Sequence, residues 1–129
     1  MRLFRNAAII VLALLVIVVA LFRLTPDDFK GHRLINAARD GDILRVKLLL
    51  ALGADINYST GSGSALHAAS ADGNIKLMRF LLAHGATVNL PAKFGVTPLY
   101  EARDAKHSEA EVLLLSYGAN PDTSHIRPP

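Results

Sequence analysis

The sequence predicts an all-α solenoid of stacked helix-turn-helix units with short hairpin turns, preceded by one transmembrane helix. Two observations support this prediction. Near the N-terminus stands an unbroken run of sixteen apolar residues, AAIIVLALLVIVVALF. Through the rest of the chain, a pattern of leucines and Gly-Ala pairs returns every 32 or 33 residues. A period of this length is typical of repeat architectures, in which each unit buries its apolar face against its neighbours.

Length, charge and cysteine content exclude several classes of protein. The 129 residues suffice for one domain, which excludes a large multidomain enzyme. The net charge is +3, but Arg2, Arg5 and Arg23 flank the apolar run, and the rest of the chain is formally neutral. Nucleic acid is therefore not expected as a partner, because binding phosphates requires clustered basic residues. The absence of cysteine excludes disulfides, zinc-thiolate sites and a thiol nucleophile, and leaves the redox compartment open.

The apolar run predicts a membrane anchor over residues 6–22, within an N-terminal segment 1–24. A helix there would rise about 25 Å, slightly less than the roughly 30 Å of a hydrocarbon core, and flanking apolar residues extend it. The alternative is a cleaved signal peptide, for which Val18-Val19-Ala20 is a passable cleavage triplet. The anchor is favoured because the run is long for a signal peptide and Leu21-Phe22 continues it.

The segment after the anchor indicates a short connection. Thr25-Pro26-Asp27-Asp28 predicts a helix start capped by Thr25, so the repeats should lie close to the bilayer. Basic residues on the two sides of the anchor nearly balance. The short N-terminal tail with Arg2 and Arg5 favours a basic end inside the cell and repeats on the non-cytoplasmic side.

Each repeat unit combines two motifs at fixed spacing. The leading leucines are Leu34, Leu66 and Leu99, and the Gly-Ala pairs begin nineteen residues later at Gly53, Gly85 and Gly118. Small alanines follow each leading leucine and permit close approach of neighbouring first helices. The second helix carries apolar residues at three- and four-residue spacing, which is the pattern of a single buried face. The glycine after it stands where a helix C-terminus favours a positive φ.

These motifs resemble the ankyrin repeat. Its T-P-L-H-x-A motif stands as Thr97-Pro98-Leu99-Tyr100-Glu101-Ala102 and, with changes, at residues 64–69 and 32–37, while its G-A-D-x-N signature is intact at residues 53–57. The resemblance implies an ankyrin repeat domain over residues 25–122, with repeats at about 29–58, 59–90 and 91–122, and a C-terminal tail over 123–129. Lys106 replaces the inter-helix glycine of the third unit. The first hairpin turn is one residue short, and we expect it to be looser.

No constellation of residues predicts catalysis. The five histidines, at positions 32, 67, 84, 107 and 125, are scattered, whereas a metal site needs several ligands on one face. His67 occupies the motif position where, by resemblance, the imidazole bonds nearby backbone. No nucleophile elbow, phosphate loop or dinucleotide motif is present. We expect no enzymatic activity, no metal, no cofactor and no small-molecule substrate.

The resemblance implies a protein partner that meets the hairpin tips and the exposed side of the first helices, which form a concave face. By motif position, the expected partner-binding residues are Phe29, Arg39, Asp40, Tyr58, Ser59, Thr60, Ala71, Asp72, Lys93, Phe94, Val96 and Asp104. Phe94 and Tyr58 are the first candidates, because aromatic anchors dominate many interfaces, although both could instead pack against an adjacent hairpin. The equivalent acids Asp40 and Asp72 could recognise a basic partner or simply solvate the face, and solvation is favoured.

The leading hypothesis is a non-enzymatic, membrane-tethered interaction module. The alternative is a soluble exported protein that acts as an inhibitor or immunity-like binder of one target. The partner's identity does not follow from the repeat motifs, since they specify the fold rather than the binding surface.

Overall fold

The computed structural model describes residues 1–122, and this part of the chain contains seven α-helices. Helix α1 spans Arg2–Arg23. Three helical pairs follow: α2 (Asp27–Arg39) with α3 (Ile43–Ala51), α4 (Ala65–Ala71) with α5 (Ile75–Ala83), and α6 (Pro98–Asp104) with α7 (Ser108–Ser116). Strands β1 (Ser59–Thr60) and β2 (Gly63–Ser64) form a hairpin before α4, and a 3₁₀ turn at Lys93–Gly95 precedes α6. The predicted all-α repeat architecture is confirmed, while the expected tail and His125 lie outside the described residues.

The helical pairs stack side by side in two layers. In the inner layer, α4 packs between α2 and α6, and each outer helix packs on the inner helix of its own pair. The alanines Ala37, Ala69 and Ala102 are completely buried in the inner layer, where a methyl group lets neighbouring helices approach closely. One apolar core runs continuously through all three pairs. No pair therefore has a core of its own, and stacking supplies it.

Asn57 and Asn89 connect each repeat to the next one. The Oδ1 atom of Asn57 accepts a hydrogen bond from the Thr87 amide (2.8 Å), and its Nδ2 atom donates to the Gly85 carbonyl (3.4 Å). Asn89 bonds the Asn120 amide (2.8 Å) and the Gly118 carbonyl (3.1 Å) in the same way. The asparagine that closes the G-A-x-x-N signature thus bridges successive turns.

The chain reverses between inner and outer helices through a left-handed residue. Gly41 and Gly73 have φ values of 68° and 63°, and Lys106 takes the same conformation in the third pair, with φ of 61°. Gly73 is needed for a second reason, because a Cβ atom there would lie 2.6 Å from the His107 ring. That ring bridges the second and third pairs, since its Nε2 atom lies 3.1 Å from the Ala71 carbonyl.

The first hairpin is tighter than the sequence led us to expect. Ser59 pairs with Ser64 and Thr60 with Gly63, so only Gly61-Ser62 form the loop. The expectation of a looser turn is wrong, because a two-residue connection followed directly by Gly63, whose φ is positive, brings the strands into register. The Lys93 amide, 3.4 Å from the Gly61 carbonyl, joins the second turn to this hairpin.

The end of α1 is held against the first repeat. The Thr25 hydroxyl donates to the Phe22 carbonyl, and α2 starts without a side-chain cap, so the predicted capping by Thr25 is wrong. Lys30 is 4% exposed; its Nζ atom donates to the Arg23 carbonyl (3.0 Å) and lies 3.5 Å from Asp27 Oδ1. Phe22 packs against the common core. The last turn of α1 is therefore attached to the repeats and does not swing freely from them.

Helix α1 has the dimensions of a membrane span. It is 22 residues long, its most apolar stretch has a mean hydropathy of 2.6, and none of that stretch is buried in the protein. It extends beyond the predicted residues 6–22 at both ends. Length and composition alone allow it to cross a bilayer, and an N-terminal signal sequence would meet the same criteria.

The two-layer packing predicts effects of very different size on stability for neighbouring leucines of α3. Leu49 is 4% exposed and Leu48 is 58% exposed. We expect Leu49→Ala to lower the free energy of unfolding by about 2–5 kcal/mol, because it leaves a cavity in the shared core. Leu48→Ala, the matched control, should change it by less than about 0.5 kcal/mol. Urea unfolding in detergent micelles, followed by the NMR signals of α4, measures both; equal effects would contradict the described burial.

Candidate functional site: the concave face of the inner helices

The exposed sides of the inner helices make up the face that the resemblance predicts to be concave, and this face carries aligned rows of residues. The repeat offsets of 32 and 33 residues align Arg39 with Ala71 and Asp104 in one row, and Asn36 with Ala68 and Glu101 in another. Alanine is thus the middle member of both rows, and its small side chain leaves a depression at the centre of the face.

Two adjoining depressions make a groove along this face, which we call the concave groove. The first, of about 380 Å³, is lined by Arg39, Ser62, His67, Ala68, Ala71, Asp72 and Glu101. The second, of about 280 Å³, lies between α2 and the first hairpin and is lined by His32, Ile35, Asn36, Arg39, Thr60, Gly61 and Ser62. Arg39 and Ser62 belong to both.

The predicted partner-binding residues fall into groups by their location in the structure, and none of these residues is buried. Arg39, Thr60, Ala71 and Asp72 line the concave groove. Ser59, Lys93 and Phe94 lie in the hairpin turns, and Asp104 is exposed at the end of α6. The remaining four, Phe29, Asp40, Tyr58 and Val96, make contacts within the protein. Binding by any of them stays a prediction.

Tyr58 packs against the first repeat. Its ring covers Gly31 so closely that a Cβ atom at Gly31 would lie 2.1 Å from the ring, and its hydroxyl oxygen is 3.0 Å from His32 Nδ1. Helix α2 has 13 residues, whereas α4 and α6 have 7 each, so the contact lies on the N-terminal extension of α2. Tyr58 therefore supports that extension, and Phe94 is the better candidate for a binding anchor.

Phe94 projects from the turn before α6 in a strained conformation. Its φ of 61° lies in the left-handed region, which costs about 1–3 kcal/mol for a residue other than glycine. The side chain is nevertheless 45% exposed, and the Lys93 ammonium lies over its ring, 4.8 Å from the ring centre. A strained, exposed aromatic residue at a turn is a reason to suspect binding there.

His67 links the second and third repeats beneath the groove. Its Nδ1 atom accepts from the Ser64 amide (3.1 Å), and its Nε2 atom lies 3.1 Å from the Val96 carbonyl. Because an amide can only donate and a carbonyl can only accept, the ring is neutral with its hydrogen on Nε2. Burial lowers the pKa of His67, although the Val96 and Leu90 carbonyls oppose this effect. The structural role predicted for His67 is confirmed.

Ion pairs with residues of the outer helices engage some of the charged side chains near the concave face and leave others unpaired. Asp40 Oδ2 lies 3.1 Å from Arg45 Nη1 on α3. Among the described residues, Asp40 is therefore engaged with the outer helix, unlike Asp72, the acid at the equivalent position of the second repeat. Arg103 Nε donates to Glu111 Oε1 on α7 (2.8 Å), and Arg103 Nη1 donates to the Pro121 carbonyl (2.8 Å). Within residues 1–122, Arg39, Asp72, Glu101 and Asp104 form no ion pair.

The remaining charges are unevenly distributed along the concave face. Among the residues that line the groove, Arg39 is the unpaired charge on the first repeat and Glu101 is the one on the third, and Asp104 is exposed beyond the groove at the end of α6. Burial raises the pKa of the Glu101 carboxyl, and the nearby Asp104 carboxylate raises it further. Charged groups of both signs on an open groove can pair with and hydrogen-bond to a polypeptide. Among residues 1–122, no three His, Asp or Glu side chains are placed to hold a metal ion.

Ser62, Ala68 and Glu101 line the groove but were not selected from the sequence. Helical spacing would have found Ala68 and Glu101, because each lies three residues before a predicted residue of the same helix, Ala71 and Asp104 respectively. No sequence signal identified Ser62, since turn composition does not say which side of a turn faces the helices.

Comparison with known families identifies residues 34–125 as ankyrin repeats in three copies. The match begins at the leading leucine of the first repeat and includes the C-terminal part of α2 and all of α3 to α7. No curated protein shows significant similarity to the chain.

The lowered pKa of His67 predicts a pH-dependent stability. The unfolded chain binds a proton near pH 6.5, while the folded chain takes it up only at lower pH. The contribution is therefore complete above about pH 6.5 and is lost as the pH falls towards the folded-state pKa. We expect this loss in the wild type and a flatter profile in His67→Gln, in urea unfolding between pH 5 and pH 8 (about the range in which histidine titrates). Identical slopes would contradict the assignment.

Proposed function

Because the chain belongs to the ankyrin repeat family, we propose that it is a non-enzymatic module that binds a partner protein through its concave groove and hairpin tips. Ankyrin repeats are generally protein–protein interaction modules. The observation that carries the proposal is the open groove over Ala68 and Ala71, whose walls present Arg39 and Asp72 without an ion pair in the described part of the chain. Side chains of a partner can enter this space and pair with those charges.

The hairpin turns extend the proposed binding surface beyond the groove. Phe94 and Lys93 stand on the turn before α6, and the backbone bond from Lys93 to Gly61 keeps that turn beside the first hairpin. An exposed aromatic ring next to a polar groove matches the usual composition of interfaces, in which aromatic anchors are surrounded by polar contacts. We therefore assign Phe94 the role of anchor.

We further propose that residues 6–22 hold the module in a membrane as a single-pass anchor, with the repeats on the non-cytoplasmic side. The apolar stretch of α1 is not covered by the rest of the protein. Its last turn is fastened to the first repeat through Phe22, Thr25 and Lys30. Such contacts favour a helix that stays with the mature protein, because a signal sequence that is cleaved off needs no contacts with the folded repeats. The basic residues Arg2 and Arg5 favour this orientation.

The anchor role of Phe94 can be tested by photocrosslinking in membranes. A photoreactive residue at position 71 reports occupancy of the groove, and we expect Phe94→Ala to reduce the crosslinked adduct about tenfold or more, as loss of a hot-spot residue does. Leu44→Ala is the matched control, because Leu44 is an exposed apolar residue (74%) on the outer face. Undiminished capture in Phe94→Ala would remove Phe94 from the interface, and absence of any adduct at position 71 would contradict binding in the groove.

Membrane anchoring can be tested separately from partner binding. We expect the intact mass of the purified chain to include residues 1–22 and the protein to stay with the membrane after alkaline carbonate extraction. Replacing Leu12 and Leu15 by arginine should release it or prevent insertion, since each arginine costs about 2.5–3.5 kcal/mol at the centre of a span. A mature chain that begins at Leu21 would instead support the soluble exported form, acting as an inhibitor or immunity-like binder.

A further inference from the structure

The unpaired charges in and beside the concave groove are arranged as a dipole across the stack of repeats. Arg39 on α2 and Asp104 on α6 occupy the same row, and Ala71 on α4 lies between them. The neighbouring opposite charges are turned to the outer layer, where Asp40 pairs with Arg45 and Arg103 pairs with Glu111. The first repeat thus presents a positive charge to the groove and the third repeat a negative one.

Two further acids strengthen the negative end. Asp72 and Glu101 line the same depression as Arg39, on the side of the second and third repeats. Glu101 is only partly exposed and lies near Asp104, so a cation placed between them would relieve their repulsion. Lys93, on the turn before α6, lies over the Phe94 ring and forms no ion pair in residues 1–122.

We propose that the concave groove binds a bipolar segment of the partner protein, with an acidic side chain over the first repeat at Arg39 and a basic side chain over the third at Glu101 and Asp104. The inference rests on the proposed function, since it names the chemistry of the partner that the same groove accepts. Charge complementarity selects this occupant, because a segment of uniform charge places like charges together at one end of the groove.

The geometry of the stack sets the spacing of the two charges in the partner. Packed helices lie about 8–10 Å apart, so α2 and α6 are separated by about 16–20 Å. An extended segment spans this distance with about five or six residues, and an α-helix with about eleven to thirteen. Ala68 and Ala71 leave the path between the two ends free of large side chains.

The proposal can be tested with defined peptides and the full chain in detergent micelles. Four capped peptides of equal length are compared: one with glutamates at one end and lysines at the other, one with the same residues in alternation, one with glutamate alone and one with lysine alone. We expect the bipolar peptide to shift the NMR signals of residues 39, 71 and 104 and to bind at least threefold more tightly than the others. High salt should weaken this binding, because partly exposed charges are screened.

The orientation of the bound peptide gives a sharper test. A spin label on the acidic end should broaden signals around Arg39 in the wild type. In the double variant Arg39→Glu/Asp104→Lys, the broadening should move to signals around position 104. Lys76→Glu/Glu109→Lys is the matched control: it makes the same exchange of charge at two exposed, equivalent positions of the outer helices, and the label should stay near Arg39.

Two results would overturn the proposal. One is that the bipolar peptide binds no more tightly than the alternating peptide, or that neither peptide binds. The other is a label that stays in place when the charges are exchanged. These failures are distinguishable from failure of the proposed function. If crosslinking at position 71 captures the same partner equally in the wild type and in Arg39→Glu/Asp104→Lys, the groove binds a protein but does not recognise it through these charges. The proposed function then stands and the bipolar partner does not.

Discussion

The structure depends on one constraint: no helical pair can exclude water from its apolar face alone. Inner helices α4 and α6 have seven residues each, about two turns, which is too short for a helix to be stable in isolation. They persist because Ala37, Ala69 and Ala102 allow close stacking and because leucines from all three pairs share one core. Hydrogen bonds from Asn57, His67, Asn89 and His107 then fix each pair to the next.

The same constraint shapes the candidate binding face. Helix α4, which approaches its neighbours through Ala69 on its buried side, also carries Ala68 and Ala71 on its open side, where they line the groove. The residues that maintain the stack are buried or engaged with the backbone, so they are not available to a partner. Recognition is left to side chains on the turns and on the exposed side of the inner helices, which the repeat motif does not specify.

The N-terminal end of the stack differs from the interior. Helix α2 begins earlier than its equivalents and replaces a hairpin with helical turns, on which Tyr58 packs through Gly31. Lys30 and Phe22 join that extension to the end of α1. A terminal repeat has no neighbour on one side, and here the extension and the end of α1 occupy part of that surface. The attachment also limits how the groove can move relative to α1.

The sequence by itself determined the number of repeats, the helical pairs, the positive φ of the glycines after the outer helices (Gly53, Gly85 and Gly118), and the structural role of His67. These features follow from local pattern, because periodicity, caps and glycines act within one unit or between adjacent units. It did not determine the tight first hairpin or the hydrogen bond from the Thr25 hydroxyl to the Phe22 carbonyl. Nor did it determine that Asp40 and Arg103 each form an ion pair with a residue of an outer helix. Only the tertiary structure decided those, because they depend on which of several reachable partners lies nearest once the helices are packed. The polarity of the groove belongs to this second group, since a charge counts towards recognition only if the fold leaves it unpaired.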